Sequence, residues 1–289
     1  MTGFAEREWT SRDGLKLYAR DYAGASGGCR APVICLHGLT RNSKDFEDVA
    51  PLIAERGRRV LAPDVRGRGR SAWNTDAAQY HQRIYARDVL GLMDSLAISR
   101  AVFVGTSMGG LITMAVSALR SRAVVAAVLN DVGPEIGKAG IERILSYAGK
   151  PAPIETWQDA ADYVRRTNAV AFPDHSDADW AAFARRTFRD EDGRPVLDYD
   201  PAIAVPLSKR PPQTRSFIAA LLFRRLARKR PTLLVRGENS DLLTEEIARR
   251  MQRAAPRMLQ VAVSGIGHAP TLTEPVAWKA IDEFLAAVP

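Results

Sequence analysis

Ser107 lies in Gly105-Thr106-Ser107-Met108-Gly109-Gly110. The apolar run Ala101-Val102-Phe103-Val104 comes directly before it, and Leu111, Met114, Ala115 and Ala118 follow at helical spacing. A serine between two glycines at a strand-to-helix corner matches the pattern G-x-S-x-G. The corner is too tight for β-carbons on both sides of the serine, and Gly105 and Gly109 carry none. A hydroxyl placed there stands clear of the sheet at a helix N-terminus, where developing negative charge is favoured. Serine is a poor nucleophile until a base takes its proton, so the chemistry implied is acyl transfer through a covalent intermediate.

Four histidines could act as that base: His37, His81, His175 and His268. His268 follows the last apolar strand pattern in Gly265-Ile266-Gly267-His268, a loop expected at the same sheet edge as Ser107. His81 falls on a surface helix, His175 beside Asp174 in a polar loop, and His37 reads as structural. The base needs a carboxylate to fix its tautomer. Asp241, after the strand ending at Val235, gives the chain order Ser107, Asp241, His268 and is the expected acid. Asp131, after the preceding strand, satisfies the same order and is its rival, with Glu238 a third choice; order alone does not separate them. Two backbone amides must also receive the tetrahedral oxyanion. Met108, directly after the serine, supplies one. Leu39, in the His37-Gly38-Leu39-Thr40 loop, is expected to supply the other.

The elements that must position these residues alternate. Asp13-Gly14 marks a hairpin turn between two strands within 8–17. Apolar strands are expected at 32–36, 59–63, 101–104, 123–129, 231–235 and 258–263. Amphipathic helices lie between them, including one over about 79–96 and a last one with Thr273 as N-cap and Pro275 in its first turn. Such alternation implies a parallel sheet covered by helices on both faces. The rhythm breaks at Pro134. The expected organisation is therefore a core over 1–133, an inserted helical cap over 134–225 interrupted by a polar loop at 189–195, and the rest of the core over 226–289. Tyr147, Trp157, Trp180 and Phe183 of the insertion could line an apolar pocket, although such aromatics mostly pack on one another. Arg41 and Trp73 lie on loops near the site.

With 289 residues, 46% hydrophobic and 26% charged, the chain has the composition of a globular protein with room for one large core. Nothing approaches the roughly 20 apolar residues of a bilayer span, and 1–16 is too charged for a signal core, so a cytoplasmic protein without membrane contact is expected. Cys29 and Cys35 make no disulfide framework. The net charge of +8 is spread over several small clusters with no nucleic-acid motif beside them, which speaks against nucleic acid as partner. A small-molecule substrate is expected.

Together His37-Gly38, Asp64-Val65-Arg66-Gly67, Gly69-Arg70-Ser71, Gly105 to Gly110, Asp241 and Gly267-His268 make the chain resemble the α/β-hydrolase superfamily over nearly its whole length. The resemblance implies the α/β-hydrolase fold, an eight-stranded mostly parallel sheet with a cap after the sixth strand. It also implies Ser107, Asp241 and His268 as triad, Leu39 and Met108 amides as oxyanion hole, and no cofactor or metal. Arg68 departs from it, standing where histidine is common, and is taken as structural. Ser107 sets the chain apart from the branches that use aspartate at that position. The expected activity is hydrolysis of small or medium carboxylic esters or lactones. Alternatives are a carbon–carbon bond hydrolase of ring-cleavage diketone acids, a cofactor-free perhydrolase or haloperoxidase, and a receptor-like binding protein without turnover.

Overall fold

A computed structural model describes residues 3–25, 30–150, 154–209 and 214–289; Cys29 lies outside them. In chain order the elements are β1 (Ala5–Thr10), β2 (Lys16–Tyr22), β3 (Val33–Leu36), α1 (Val49–Glu55), β4 (Val60–Asp64), α2 (Gln82–Ser95), β5 (Ala101–Thr106), α3 (Met108–Leu119) and β6 (Val124–Asn130). Then come α4 (Lys138–Tyr147), α5 (Trp157–Asn168), α6 (Asp177–Thr187), β7 (Phe188–Glu191), β8 (Arg194–Leu197) and α7 (Val205–Lys209). The chain closes with α8 (Phe217–Lys229), β9 (Thr232–Gly237), α9 (Glu245–Ala254), β10 (Leu259–Val263) and α10 (Pro275–Ala287).

Eight strands form one sheet in the order β1-β2-β4-β3-β5-β6-β9-β10, antiparallel at β1-β2 and β2-β4 and parallel thereafter. The fold is that of an α/β hydrolase. Its central strands are apolar on both faces because helices cover both, and the period-2 alternation sorts their side chains. Ile34, Leu36 and Phe103 face a core shared with α2, α3, α8 and α9. Val33, Cys35, Val102 and Val104 face the core under α1 and α10. Cys35 is fully buried, and burial pushes its thiol well above the ordinary range, as expected of a small core hydrophobe. Among the described residues no helix is long and apolar enough to cross a membrane.

The excursion after β6 differs from expectation in two ways. Residues 188–197 are an antiparallel hairpin, β7-β8, rather than a loop. Asp192 and Gly193 both adopt positive φ, +52° and +84°, which is the backbone of a tight hairpin turn. The other difference is that no boundary falls at Arg225, which lies inside α8. The face of α8 carrying Phe223, Leu226 and Ala227 packs into the core beside Ile112 and Val116 of α3, so α8 belongs to the sheet's helical layer. The excursion has a hydrophobic cluster of its own, built on Ala160, Val164, Phe172, Trp180 and Phe188.

Candidate active site

β5 ends at Thr106, and the next residue turns the chain into α3. Ser107 adopts φ 51° and ψ −116°, a conformation that exposes its side chain at the top of the sheet. A β-carbon on Gly105 would come within 2.5 Å of the Gly109 and Gly110 backbone, and one on Gly109 within 2.0 Å of the Leu36 carbonyl oxygen. Close approach of helix, elbow and β3 therefore demands both glycines. The amide of Ser107 donates to Asn130 O at 3.0 Å, which ties the elbow to the end of β6. The Asn130 side-chain amide in turn donates to Thr106 Oγ1 and to Pro270 O, on the loop that carries His268.

His268 Nε2 lies 3.0 Å from Ser107 Oγ. Its Nδ1 lies 2.7 Å from Asp131 Oδ2. The carboxylate on the imidazole is thus Asp131, not Asp241, and the expectation for the acid is corrected here. Asp131 follows β6 directly, at φ 53°, a left-handed conformation that aspartate tolerates, and it is fully buried. Oδ1 accepts from the Gly237 amide at 3.0 Å, and Oδ2 also accepts from Ser240 Oγ at 2.6 Å. Gly237, Ser240 and His268 therefore hold this carboxyl group.

Asp241 is engaged elsewhere. Arg143 of α4 donates to both of its oxygens, at 2.6 and 2.8 Å. Burial pushes the Asp241 carboxyl up, but the Arg143 bonds and charge, with the nearby His268, hold it below the usual range. It is not the N-cap of α9 either, since Thr244 has that place. Glu238, the third choice, accepts from Ser264 Oγ and the Gly265 amide and steadies the turn before His268. His81 is the N-cap of α2, and His175 stacks on Phe172 at 4.6 Å in the excursion.

His37 is fully buried. Its Nδ1 donates to Gly38 O at 2.8 Å and its Nε2 accepts from the Val65 amide at 3.0 Å, which fixes a neutral imidazole. Burial lowers its pKa to about 4. With both ring nitrogens engaged, it ties the loop carrying Leu39 to the end of β4. Met108, the first residue of α3, has an amide with no acceptor inside the helix.

A cavity of about 140 Å³ lies over Ser107 and His268. One wall is the loop 38–41; the other is Ile144, Tyr147, Tyr163, Asn168, Phe183 and Tyr199 of the excursion. Tyr147 and Phe183 line the cavity, whereas Trp180 packs against Phe172 and Phe183, and Trp157 lies under the Arg185 guanidinium. The segment after the loop is sewn to the excursion. Arg41 pairs with Asp45, donates to Thr187 Oγ1 and stacks on the Phe183 ring. Asn42 donates to Arg186 O and to Asp198, Lys44 to Phe188 O, and Arg186 pairs with Glu47 and Asp48. Trp73 is 45% exposed and outside the cavity lining.

Residues 33–280 match the model of the alpha/beta hydrolase family. The chain is 36% identical over 257 residues to the 3-hydroxybutyrate-oligomer hydrolase of Cupriavidus necator, covering 87% of each protein. Among solved structures it superposes on an alpha/beta hydrolase from Novosphingobium aromaticivorans with a TM-score of 0.90 and 41% identity over 99% of both chains. E-2-(acetamidomethylene)succinate hydrolase superposes with a TM-score of 0.82 at 23% identity, over 98% of this chain and 100% of that one, a likeness of fold alone. Sheet order, elbow and family match agree: the chain belongs to the alpha/beta hydrolase family and is a hydrolase.

Proposed function

We propose that the chain is a carboxylic ester hydrolase whose nucleophile, base and acid are Ser107, His268 and Asp131. The observation that carries this reading is the continuous hydrogen-bonded path from Ser107 Oγ through the imidazole to a buried carboxylate. As the serine oxygen attacks the ester carbonyl, His268 Nε2 takes its proton, and Asp131 offsets the charge on the imidazolium. The amides of Leu39 and Met108 receive the oxyanion. His268 then protonates the leaving alcohol, and a water activated by the same nitrogen releases the acid from Ser107. The excursion between β6 and α8 acts as a cap that closes the cavity over the serine.

The substrates we favour are short esters of hydroxy acids. The similarity to a 3-hydroxybutyrate-oligomer hydrolase runs along most of both chains. The cavity also mixes apolar walls with the side chains of Thr40, Tyr147, Tyr163 and Asn168, which suits a chain of alternating methylenes and ester oxygens. The test is fluorophosphonate labelling of wild type and Ser107→Ala, followed by hydrolysis of linear 3-hydroxybutyrate dimer and trimer beside p-nitrophenyl butyrate. Labelling that persists in Ser107→Ala refutes the nucleophile. A labelled enzyme that ignores every ester but cleaves a ring-fission diketone acid, or makes peracid from acetate and peroxide, refutes the ester reading.

A further inference from the structure

Arg68 is fully buried, and among the described residues it makes no salt bridge. Its neighbour Arg66, equally buried, is neutralised by Asp88 and Asp13. Arg68 is held instead by neutral dipoles. Nε donates to Leu39 O at 2.9 Å, Nη1 to Arg66 O at 2.8 Å and to Tyr85 Oη at 3.0 Å, and Nη2 lies 3.6 Å from Met108 Sδ. Its guanidinium sits 5.0 Å from the Tyr85 ring centroid. Burying a cation without a counter-charge is costly, so the arrangement calls for a physical reason.

The contacts supply one. The peptide joining Gly38 to Leu39 has its carbonyl held by His37, and the N–H of that peptide is the Leu39 amide. The next carbonyl, Leu39 O, is held by Arg68. Both peptide planes flanking the Leu39 α-carbon are thus clamped, which fixes the direction of the Leu39 N–H. The same guanidinium touches the side chain of Met108, the residue bearing the other amide.

We propose that Arg68 is a positioning residue of the oxyanion pocket: it sets the aim of the Leu39 amide and brings unneutralised positive charge beside it, stabilising the transition state rather than bound substrate. This rests on the ester hydrolase reading above. The charge is unfavourable while the pocket is empty or holds a neutral ester, and is offset when the carbonyl oxygen becomes an anion.

The experiment compares wild type, Arg68→Lys and Arg68→Gln on p-nitrophenyl butyrate, and against an aryl trifluoromethyl ketone. Ser107 Oγ adds to that ketone, its proton passes to His268, and the ketone oxygen becomes the anion. The glutamine variant should lose about 100-fold in kcat and the lysine variant, which keeps the charge but not the fork, about 10-fold. KM should stay within about twofold, and the ketone's inhibition constant should rise by the same factor as kcat falls. If Arg68→Gln does not fold, Arg68→Lys decides by the same readouts. A folded variant with unchanged kcat and ketone affinity, or one whose KM rises while kcat holds, overturns the proposal. Failure of the wild type to take fluorophosphonate at Ser107 refutes the ester hydrolase reading and this proposal with it. A wild type that labels and turns over, beside variants that match it, refutes the role of Arg68 alone.

Discussion

The change Asp131→Asn separates the two candidate acids, and its effect can be worked out atom by atom. Oδ1 accepts from the Gly237 amide, while Oδ2 accepts from both Ser240 Oγ and His268 Nδ1. If asparagine keeps its oxygen toward Gly237, its NH2 group faces the imidazole. Nδ1 must then become the unprotonated acceptor, and Nε2 carries the hydrogen toward Ser107. In that tautomer the histidine cannot take the serine's proton. The flipped amide sets NH2 against a buried N–H instead, costing about 1–3 kcal/mol, and still supplies no anion for the imidazolium. A loss of about 10⁴ in kcat is expected, or about 5.5 kcal/mol, with KM little changed. Asp241→Asn should behave differently. It breaks a bidentate pair with Arg143 worth about 1–3 kcal/mol of stability, and kcat should stay within about tenfold. Steady-state rates on p-nitrophenyl butyrate, with folding checked by circular dichroism, decide the matter. An Asp131→Asn enzyme within tenfold of wild type, beside a dead Asp241→Asn, would refute the reasoning.

Three further outcomes test the scaffold. Gly109→Ala sets a β-carbon 2.0 Å from a backbone oxygen of β3, so denaturant unfolding should show a loss on the order of 3 kcal/mol; an unchanged midpoint contradicts the packing. Arg58 donates to the carbonyls of Ala31, Leu285, Val288 and Pro289, so Arg58→Met should cost about 3 kcal/mol and raise hydrogen exchange at the end of α10, and native-like protection there would deny its role. His37 ordinarily titrates near 6.5 but near 4 when folded, so the unfolded chain binds the extra proton in between and stability is lost as pH falls from 6.5 to 4. Its stability advantage over His37→Asn should shrink by about 3 kcal/mol from pH 7 to pH 4. Comparison with the variant is needed because Asp64, pushed up to about 6 by burial, changes stability in the opposite sense over nearly the same range. A difference independent of pH would mean that His37 is not buried neutral.

Much of this was legible in the sequence because it is local. Gly105, Ser107 and Gly109 lie within five positions, and their types alone dictate the corner. Strand periodicity pointed to the sheet, and the loop after the last strand to the imidazole that meets Ser107. Which carboxyl meets that imidazole was not legible, for a definite reason. β6 and β9 are adjacent parallel strands, so Asp131 and Asp241 leave the sheet at the same edge beside the same imidazole. What separates them is Arg143, about a hundred residues from Asp241, and the Gly237 amide and Ser240 hydroxyl turned toward Asp131. No spacing rule reports such partners. The missed hairpin at 188–197 did carry a signal in Asp192-Gly193, but its strands are four residues each, too short to show a period. The boundary placed at Arg225 failed because the apolar face of α8 looks alike whether it packs on an inserted layer or on α3.

The stitching of 41–48 to 185–188 and Asp198 bears on how product leaves. Those residues continue directly from the turn that presents Leu39, so the roof cannot swing on a hinge of its own. Raising it either ruptures several polar bonds together or drags the 38–41 turn along with it. Under the ester hydrolysis proposed above, escape of product and displacement of the Leu39 amide would then be one event.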